Sequence, residues 1–323
     1  MTRIGTQRIR ILVRGLASAA APIAHAAHYP TRPIHVLVGF AAGDAIDAMA
    51  RPIAQKLSAI FGHQVILDNR PGAGGMIAAD IAAKAQPDGH TLLFVVPAFA
   101  INATLQSRLP FDPVRGFTGV TQIADASNVL SVPAPLAANS VKELVALAKT
   151  KPLAYGSTGV GSIGHLAGEL FNDMAGMRLT HVPYKGGGPA MVDLIAGQIQ
   201  LIFASPGTVI PQIKAGRIRA LAVATLTRSA ALPDTPTVAE SGVPGYEEKN
   251  WYGLLAPART PNMAVQRLNT DIQGVLAMAD VRNILLAQGI DLSPSSPEQF
   301  TTFVHAEIVK WSKVVRVAGI KPE

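Results

Sequence analysis

The 323-residue sequence contains no cysteine, and that one absence removes disulfide frameworks, zinc–thiolate centres and a thiol nucleophile together. It also suits an oxidising compartment. Aromatic residues are only 5% and charged residues 15% of the chain, and no run of lysine and arginine interleaved with aromatics occurs. The surface by which proteins grip nucleic acid is therefore missing. The formal charge of +7 does not restore it: Arg3, Arg8, Arg10 and Arg14 fall within the first 27 residues, which hold no acid, and the rest carries 24 bases against 21 acids. Beyond that stretch no uninterrupted apolar run approaches the roughly 18 residues that a membrane-spanning helix needs. What the chain has in quantity is small and apolar. At 49% hydrophobic it has the composition of a globular protein with one large core or two ordinary ones.

Residues 1–27 read as a secretory signal: an arginine-bearing start, a small apolar stretch from Gly15 to Ala24, and Ala24-His25-Ala26 as a cleavage site of the A-x-A kind. Cleavage is expected after Ala26 or Ala27, which would leave a soluble periplasmic protein with no cysteine to carry a lipid.

From Thr31 onward short β-branched runs alternate with helical patterns. Ile34 to Val38, Gln64 to Leu67 and Thr91 to Val96 read as strands, with helices over Ala45 to Ile60 and Met76 to Ala85 between them. This β-α-β-α-β order predicts a parallel sheet covered by helices. A second cycle starts near Asn128 and includes a helix at Ser140 to Lys149 and strands near Leu153, Leu179, Leu201 and Ala220. Prolines at 233, 236 and 244 then precede another strand candidate, Trp251 to Ala256. Helical patterns follow at Met263 to Met278, Asp280 to Gln288 and Pro297 to Val317. A tail of helices cannot form a lobe alone and is expected to pack back on the first. The predicted architecture is two α/β lobes, residues 28–126 with 248–323 and residues 127–247, with a ligand cleft between them where strand ends face a ligand. Trp251 and Tyr252 fall at the second crossing and are expected to pack the hinge.

The turn Gly156-Ser157-Thr158-Gly159-Val160-Gly161-Ser162 follows a short apolar run and leads into a helix at Leu166. A helix start has unpaired N–H groups and the positive end of the helix dipole, so a turn of small residues there lets an anion approach closely. Gly159 to Gly164 also matches a dinucleotide fingerprint, but the acid that should hold the ribose is absent from Leu179 to Tyr184. A phosphate-binding P-loop fails because Ser162-Ile163 stands where Lys and Ser/Thr belong. A nucleophile elbow would need glycine where Val160 or Tyr155 stands. His165 and Glu169 share a helix face, but no third ligand accompanies them, and a helix-surface or capping pair is the simpler reading. No metal, cofactor or catalytic set is expected. A carboxylate needs several fixed donors, and the N–H groups of Gly159, Gly161 and Ser162 with the Ser157, Thr158 and Ser162 hydroxyls could supply them.

Five further blocks carry a resemblance: Tyr29-Pro30-Thr31-Arg32-Pro33, Asp68 to Gly75, Pro87-Asp88-Gly89-His90, His165 to Phe171, and His181-Val182-Pro183-Tyr184-Lys185-Gly186-Gly187-Gly188. With Leu232 to Gly242 and the ending from Trp311, they resemble the Bug family, the extracytoplasmic receptors of tripartite tricarboxylate transporters. The resemblance implies a periplasmic binding protein of the type II kind that closes as a monomer on a small carboxylate and delivers it to membrane permease subunits. A sensory receptor that signals through a membrane partner would use the same residues. It further implies ligand contacts from the loop after the first strand, Phe40, Ala41, Ala42 and Asp47, the last serving either ligand or its own helix's first turn. Ala98 and Phe99 after the third strand, and Ala204 and Ser205 after Phe203, complete the opposite walls. The candidate ligand-binding set is thus Phe40, Ala41, Ala42, Asp47, Ala98, Phe99, Ser157, Thr158, Gly159, Gly161, Ser162, His165, Ala204 and Ser205. Many relatives carry polar groups at 98 or 99 and an acid at 204, so the pocket is expected to be less polar here and to suit a monocarboxylate with an apolar or aromatic body. Asp44 would add charge unfavourable to a second carboxylate. Arg70 is read as stabilising its own Gly-rich turn.

Overall fold

The computed structural model describes residues 29–42, 45–106, 108–287 and 289–320. The expected export signal and Asp44 lie outside the described residues.

Two mixed sheets form the frame. In the first, β1 (Ile34–Val38) lies between β2 (Val65–Asn69) and β3 (Thr91–Val95), all three parallel. Helix α1 (Ala45–Phe61) links β1 to β2 and buries Met49, Ala50, Ile53 and Leu57, the apolar positions of its repeat. The sheet is completed by β4 (Phe117–Ala126), β10 (Asn250–Pro257) and β11 (Asp291–Leu292), in the order β11-β4-β10-β3-β1-β2. The three strands expected to be parallel are so, whereas β10, whose direction the sequence did not predict, runs antiparallel to both β3 and β4. The reason is connectivity. β4 carries the chain out to the second sheet and β10 brings it back, so neither belongs to a right-handed β-α-β crossover.

The second sheet has the order β7-β6-β8-β5-β9, built from β5 (Val129–Pro133), β6 (Ala154–Ser157), β7 (Thr180–Pro183), β8 (Leu201–Ala204) and β9 (Ile218–Val223). β6 is parallel to β7 and β8, whereas β5 is antiparallel to β8 and β9. Four helices flank it: α4 (Val141–Ala148), α5 (Ile163–Ala175), α6 (Gly187–Ile195) and α7 (Pro206–Lys214).

The chain passes between the sheets at Ser127-Asn128 and again at Glu247 to Lys249. These crossings are tied together: Glu248 N donates to Ala224 O, Ala224 N donates to Asn128 O, and Thr225 Oγ1 donates to Ser127 Oγ at 2.9 Å. The last three helices are α8 (Asn262–Leu276), α9 (Ala279–Ala287) and α10 (Pro297–Val317). α8 and α10 pack on β4, and α10 also reaches α5 beside the second sheet. Serine at its N-cap and Gln299 close a capping box at the start of α10. Glu307 of α10 accepts from the indole N–H groups of both Trp251 and Trp311 at 2.9 Å and from Lys310 at 3.0 Å. Trp251, expected to pack the hinge, is fully buried in the core against α10. Among the described residues no helix is long and apolar enough to cross a membrane.

Candidate functional site

A cleft of about 1040 Å³ separates the sheets. Helix starts surround it. From the second sheet come α5 with Ser162 as N-cap, α6 with Gly186 and α7 with Ser205. From the first sheet come α3 (Pro97–Leu105), capped by Val96, and a short 3-10 turn at Ala73–Gly75 that opens α2 (Met76–Ala83). Sequence explains the convergence: each strand of a β-α unit delivers its chain to the same end, where the next helix begins. Phe40, Ile46, Leu105, Val160, Ile163 and Ile320 supply apolar wall, while Asn102, Gln106, Thr158, Ser162, Ser205, Asn250 and Tyr252 supply polar groups. Among the described residues no lysine, arginine, histidine, aspartate or glutamate lines it. A smaller cavity of about 180 Å³ shares Thr158, Ile163, Gly187, Ser205 and Asn250 with the cleft and extends to Asn128, Ser157, Ala204 and Thr208.

The candidate residues divide on this map. Phe40, Ala98, Thr158, Gly161, Ser162 and Ser205 line the cleft, and Ser157 and Ala204 border the smaller cavity. Ala41, Ala42 and Gly159 line neither. Phe99 points into the core, edge-on to Phe117 at 5.5 Å. Asp47 is 1% exposed and binds Arg51 on the next turn of α1. Arg70 pairs with Asp68 beside its turn. Tyr252 departs from expectation, because it faces the cleft where hinge packing was predicted.

The Gly-rich turn is also wired differently from what its sequence suggests. Gly159 N donates to Ser157 Oγ at 3.1 Å, Gly161 N to His165 Nδ1 at 3.1 Å, and Ser162 N to Gly159 O at 3.2 Å. The three N–H groups expected to meet the ligand are thus spent inside the turn. Ser162 Oγ donates to Gly159 O and accepts from His165 N as a helix cap. His165 is 4% exposed and sits behind the turn, stacked on His181 with centroids 3.8 Å apart and planes tilted 15°. The Tyr155 hydroxyl joins His165 and Glu169, lying 2.6 Å from the Glu169 carboxylate and 3.1 Å from the main-chain oxygen of His165. Burial pushes both histidines down to about 4, and His165 further disfavours a charge on His181. The rings are neutral at physiological pH.

Ser157 Oγ lies 2.7 Å from His181 Nε2, a contact that no sequence motif announced. Its environment is that of a scaffold: Ser157 is 3% exposed, its hydroxyl is shared with Gly159, and His181 is stacked on an imidazole where a nucleophile's base would have an orienting carboxylate. Sequence reading also missed Asn102, Gln106, Asn250, Tyr252 and Asn128. Asn102 is explained by its neighbour: its amide donates to Ala98 O at 2.9 Å and lies against Gly74, where a Cβ would come within 2.3 Å of it. Beside Asn128 lies the fully buried carboxyl of Glu248, which burial drives up to about 8 against a smaller opposing pull from Lys310.

Two α/β layers joined by paired crossings, with a cleft rimmed by helix starts and without a charged side chain among its described residues, define a two-lobed solute-binding protein. A family model described as tripartite tricarboxylate transporter family receptor matches residues 49–320. Similar proteins include BugT of Bordetella pertussis, 35% identical over 309 residues with 94% of each chain covered. Among solved structures, Rpa4515 of R. palustris with adipate is 39% identical at a TM-score of 0.77, covering 91% of this chain and 100% of that one. MatC from Rhodopseudomonas palustris with bound malate is 30% identical at a TM-score of 0.71, covering 89% and 100%. The chain belongs to the tripartite tricarboxylate transporter receptor family, the Bug receptors that its sequence resembles.

Proposed function

We propose that this receptor closes its two lobes, residues 28–126 with 248–323 and residues 127–247, on a small monocarboxylate with an apolar or aromatic body, in the periplasm, and passes it to a membrane permease. The observation that carries this reading is the convergence of helix starts on a cleft whose described lining has no charged side chain. Each helix start contributes roughly half a positive charge, enough together to offset one desolvated carboxylate without a lysine or arginine. With the Gly159, Gly161 and Ser162 N–H groups occupied, the donors that fit are the Thr158 and Ser205 hydroxyls and the N–H groups opening α6, which has no side-chain cap. A second carboxylate or an ammonium would find no described side chain of opposite sign, and the aliphatic wall favours a hydrocarbon body.

The test is a thermal-shift screen of Ala27–Glu323 against aromatic and aliphatic monocarboxylates, di- and tricarboxylates, and amino acids. A ligand at a hundredfold over its Kd stabilises by about 2.7 kcal/mol, so a monocarboxylate is expected to raise the midpoint by several degrees. A rise confined to amino acids or tricarboxylates overturns the ligand assignment.

A further inference from the structure

Behind the Gly-rich turn stand three rings in layers: His165 on His181 at 3.8 Å, and Tyr155 against His181 at 5.0 Å. None of the three lines the cleft, yet His165 binds the backbone of Gly161, which does, and His181 the hydroxyl of Ser157, which borders the smaller cavity. His165 Nδ1 accepts the Gly161 N–H, and Gly161 holds a φ of 74°, a conformation that glycine adopts without strain. A Cβ there would come 2.8 Å from Leu105 Cδ1 of the opposite lobe, so the position of Gly161 also sets how closely the lobes approach. Ser157 Oγ contacts His181 Nε2 and both backbone groups of Gly159. One hydroxyl proton goes to Gly159 O, which leaves the Nε2–H of His181 as the donor to Ser157.

We infer that His165 and His181 are positioning residues that hold the 157–162 turn in its ligand-accepting form through different ring nitrogens, Nδ1 of His165 at Gly161 and Nε2 of His181 at Ser157. This rests on the carboxylate reading of the cleft. The arrangement needs His165 neutral, because its Nδ1 is an acceptor, whereas His181 keeps its Nε2–H in either state. Protonating His165 places a hydrogen on Nδ1, facing the Gly161 N–H, and two cations cannot share a 3.8 Å stack. The groups that face the pair are few: the Tyr155 hydroxyl of β6, bonded to the Glu169 carboxylate of α5, and Ser157. Glu169 is the one charge among them, and it raises His181 less than burial lowers it. Both imidazoles therefore keep the turn assembled at neutral pH, and His165 gives up the Gly161 N–H only as pH falls to about 4.

A crossed pair of substitutions tests this. Asparagine places a polar atom where the Nδ1 of histidine was, and glutamine places one where Nε2 was. All four variants lose the ring stack alike, so their differences report the nitrogen alone. His165→Asn is expected to bind the monocarboxylate found in the screen about tenfold tighter than His165→Gln, because only the latter strands the Gly161 N–H. His181→Gln is expected to exceed His181→Asn by a similar factor. Equal affinities within each pair overturn the inference. Hydrogen exchange of the Gly161 amide, measured without ligand, separates this failure from that of the carboxylate reading: protection kept in His165→Asn and lost about tenfold in His165→Gln supports the role even where no carboxylate binds. Should the variants not fold, nitrogen-15 shifts of the wild-type imidazoles decide, since a protonated Nδ1 on His165 at pH 7 overturns it.

Discussion

Replacing Glu248 by glutamine is expected to stabilise the protein at neutral pH and to change little in acid. The side chain is fully buried at the second crossing, and its main-chain N–H pins the two crossings through Ala224. Burial lifts its carboxyl from an ordinary 4.5 to about 8, helped by the nearby Glu307 and Glu247 carboxylates and opposed by Lys310. The folded state therefore keeps a proton that the unfolded chain gives up. Because the folded form binds more protons, stability falls as pH rises from about 4.5 and levels off near 8. At 1.36 kcal/mol per pH unit, the loss accumulated by pH 7 is about 3 kcal/mol. Glutamine has the same shape and no proton to lose, so it removes that cost. For a chain of this size each kcal/mol moves the midpoint by roughly 2 °C, giving a rise of about 6 °C at pH 7 and about 1 °C at pH 4.5. Calorimetric melting at the two pH values is the assay. A glutamine variant that melts with the wild type at pH 7, or shifts equally at both pH values, refutes the argument that a protonated carboxyl sits in the hinge.

Gly161→Ala adds a Cβ at positive φ and 2.8 Å from Leu105 Cδ1; ligand affinity is expected to fall about tenfold, and Leu105→Ala should recover part of it in titration calorimetry. Ala204→Asp puts an anion on the wall of the smaller cavity and is expected to weaken a monocarboxylate by tenfold or more, with no change in preference counting against the pocket assignment. Glu307→Ala leaves the buried indole N–H groups of Trp251 and Trp311 without their acceptor; urea unfolding should show a loss of about 3 kcal/mol, at one to three per stranded donor, and Glu307→Gln should lose less.

How far the fold was legible depended on contrast between faces. α1, α8 and α10 announce themselves because each has one apolar stripe; in α10 it runs through Phe300, Val304, Trp311 and Val314. α3 was missed because it lacks that contrast. Its sequence, Pro97 to Leu105, is apolar almost all round and buried at Phe99, Ala100, Ile101 and Leu105. α7 carries prolines at 206 and 211 and looks like a breaker, and the direction of β4 and β10 is set by partners over 100 residues apart. In the site, the turn at 156–162 was visible as a place where backbone meets cleft. Its internal wiring was not, because the partner of Ser157 lies 24 residues on, in β7. Nor could sequence choose between the two readings of Asp47, whose buried carboxylate pairs with Arg51 one turn on.

Among the described residues no charged side chain lines the cleft, and this bears on kinetics. Helix ends act as short-range partial charges, and their field fades within a turn of the helix, whereas a lysine or arginine would draw an anion from a Debye length away. A receptor built this way gains little from electrostatic steering: its association rate should change by less than about twofold between 20 and 200 mM salt, a range over which steered encounters slow markedly. Discrimination between anions of equal charge then falls to shape and desolvation inside the closed cleft, so selectivity would be expressed in how long a ligand stays.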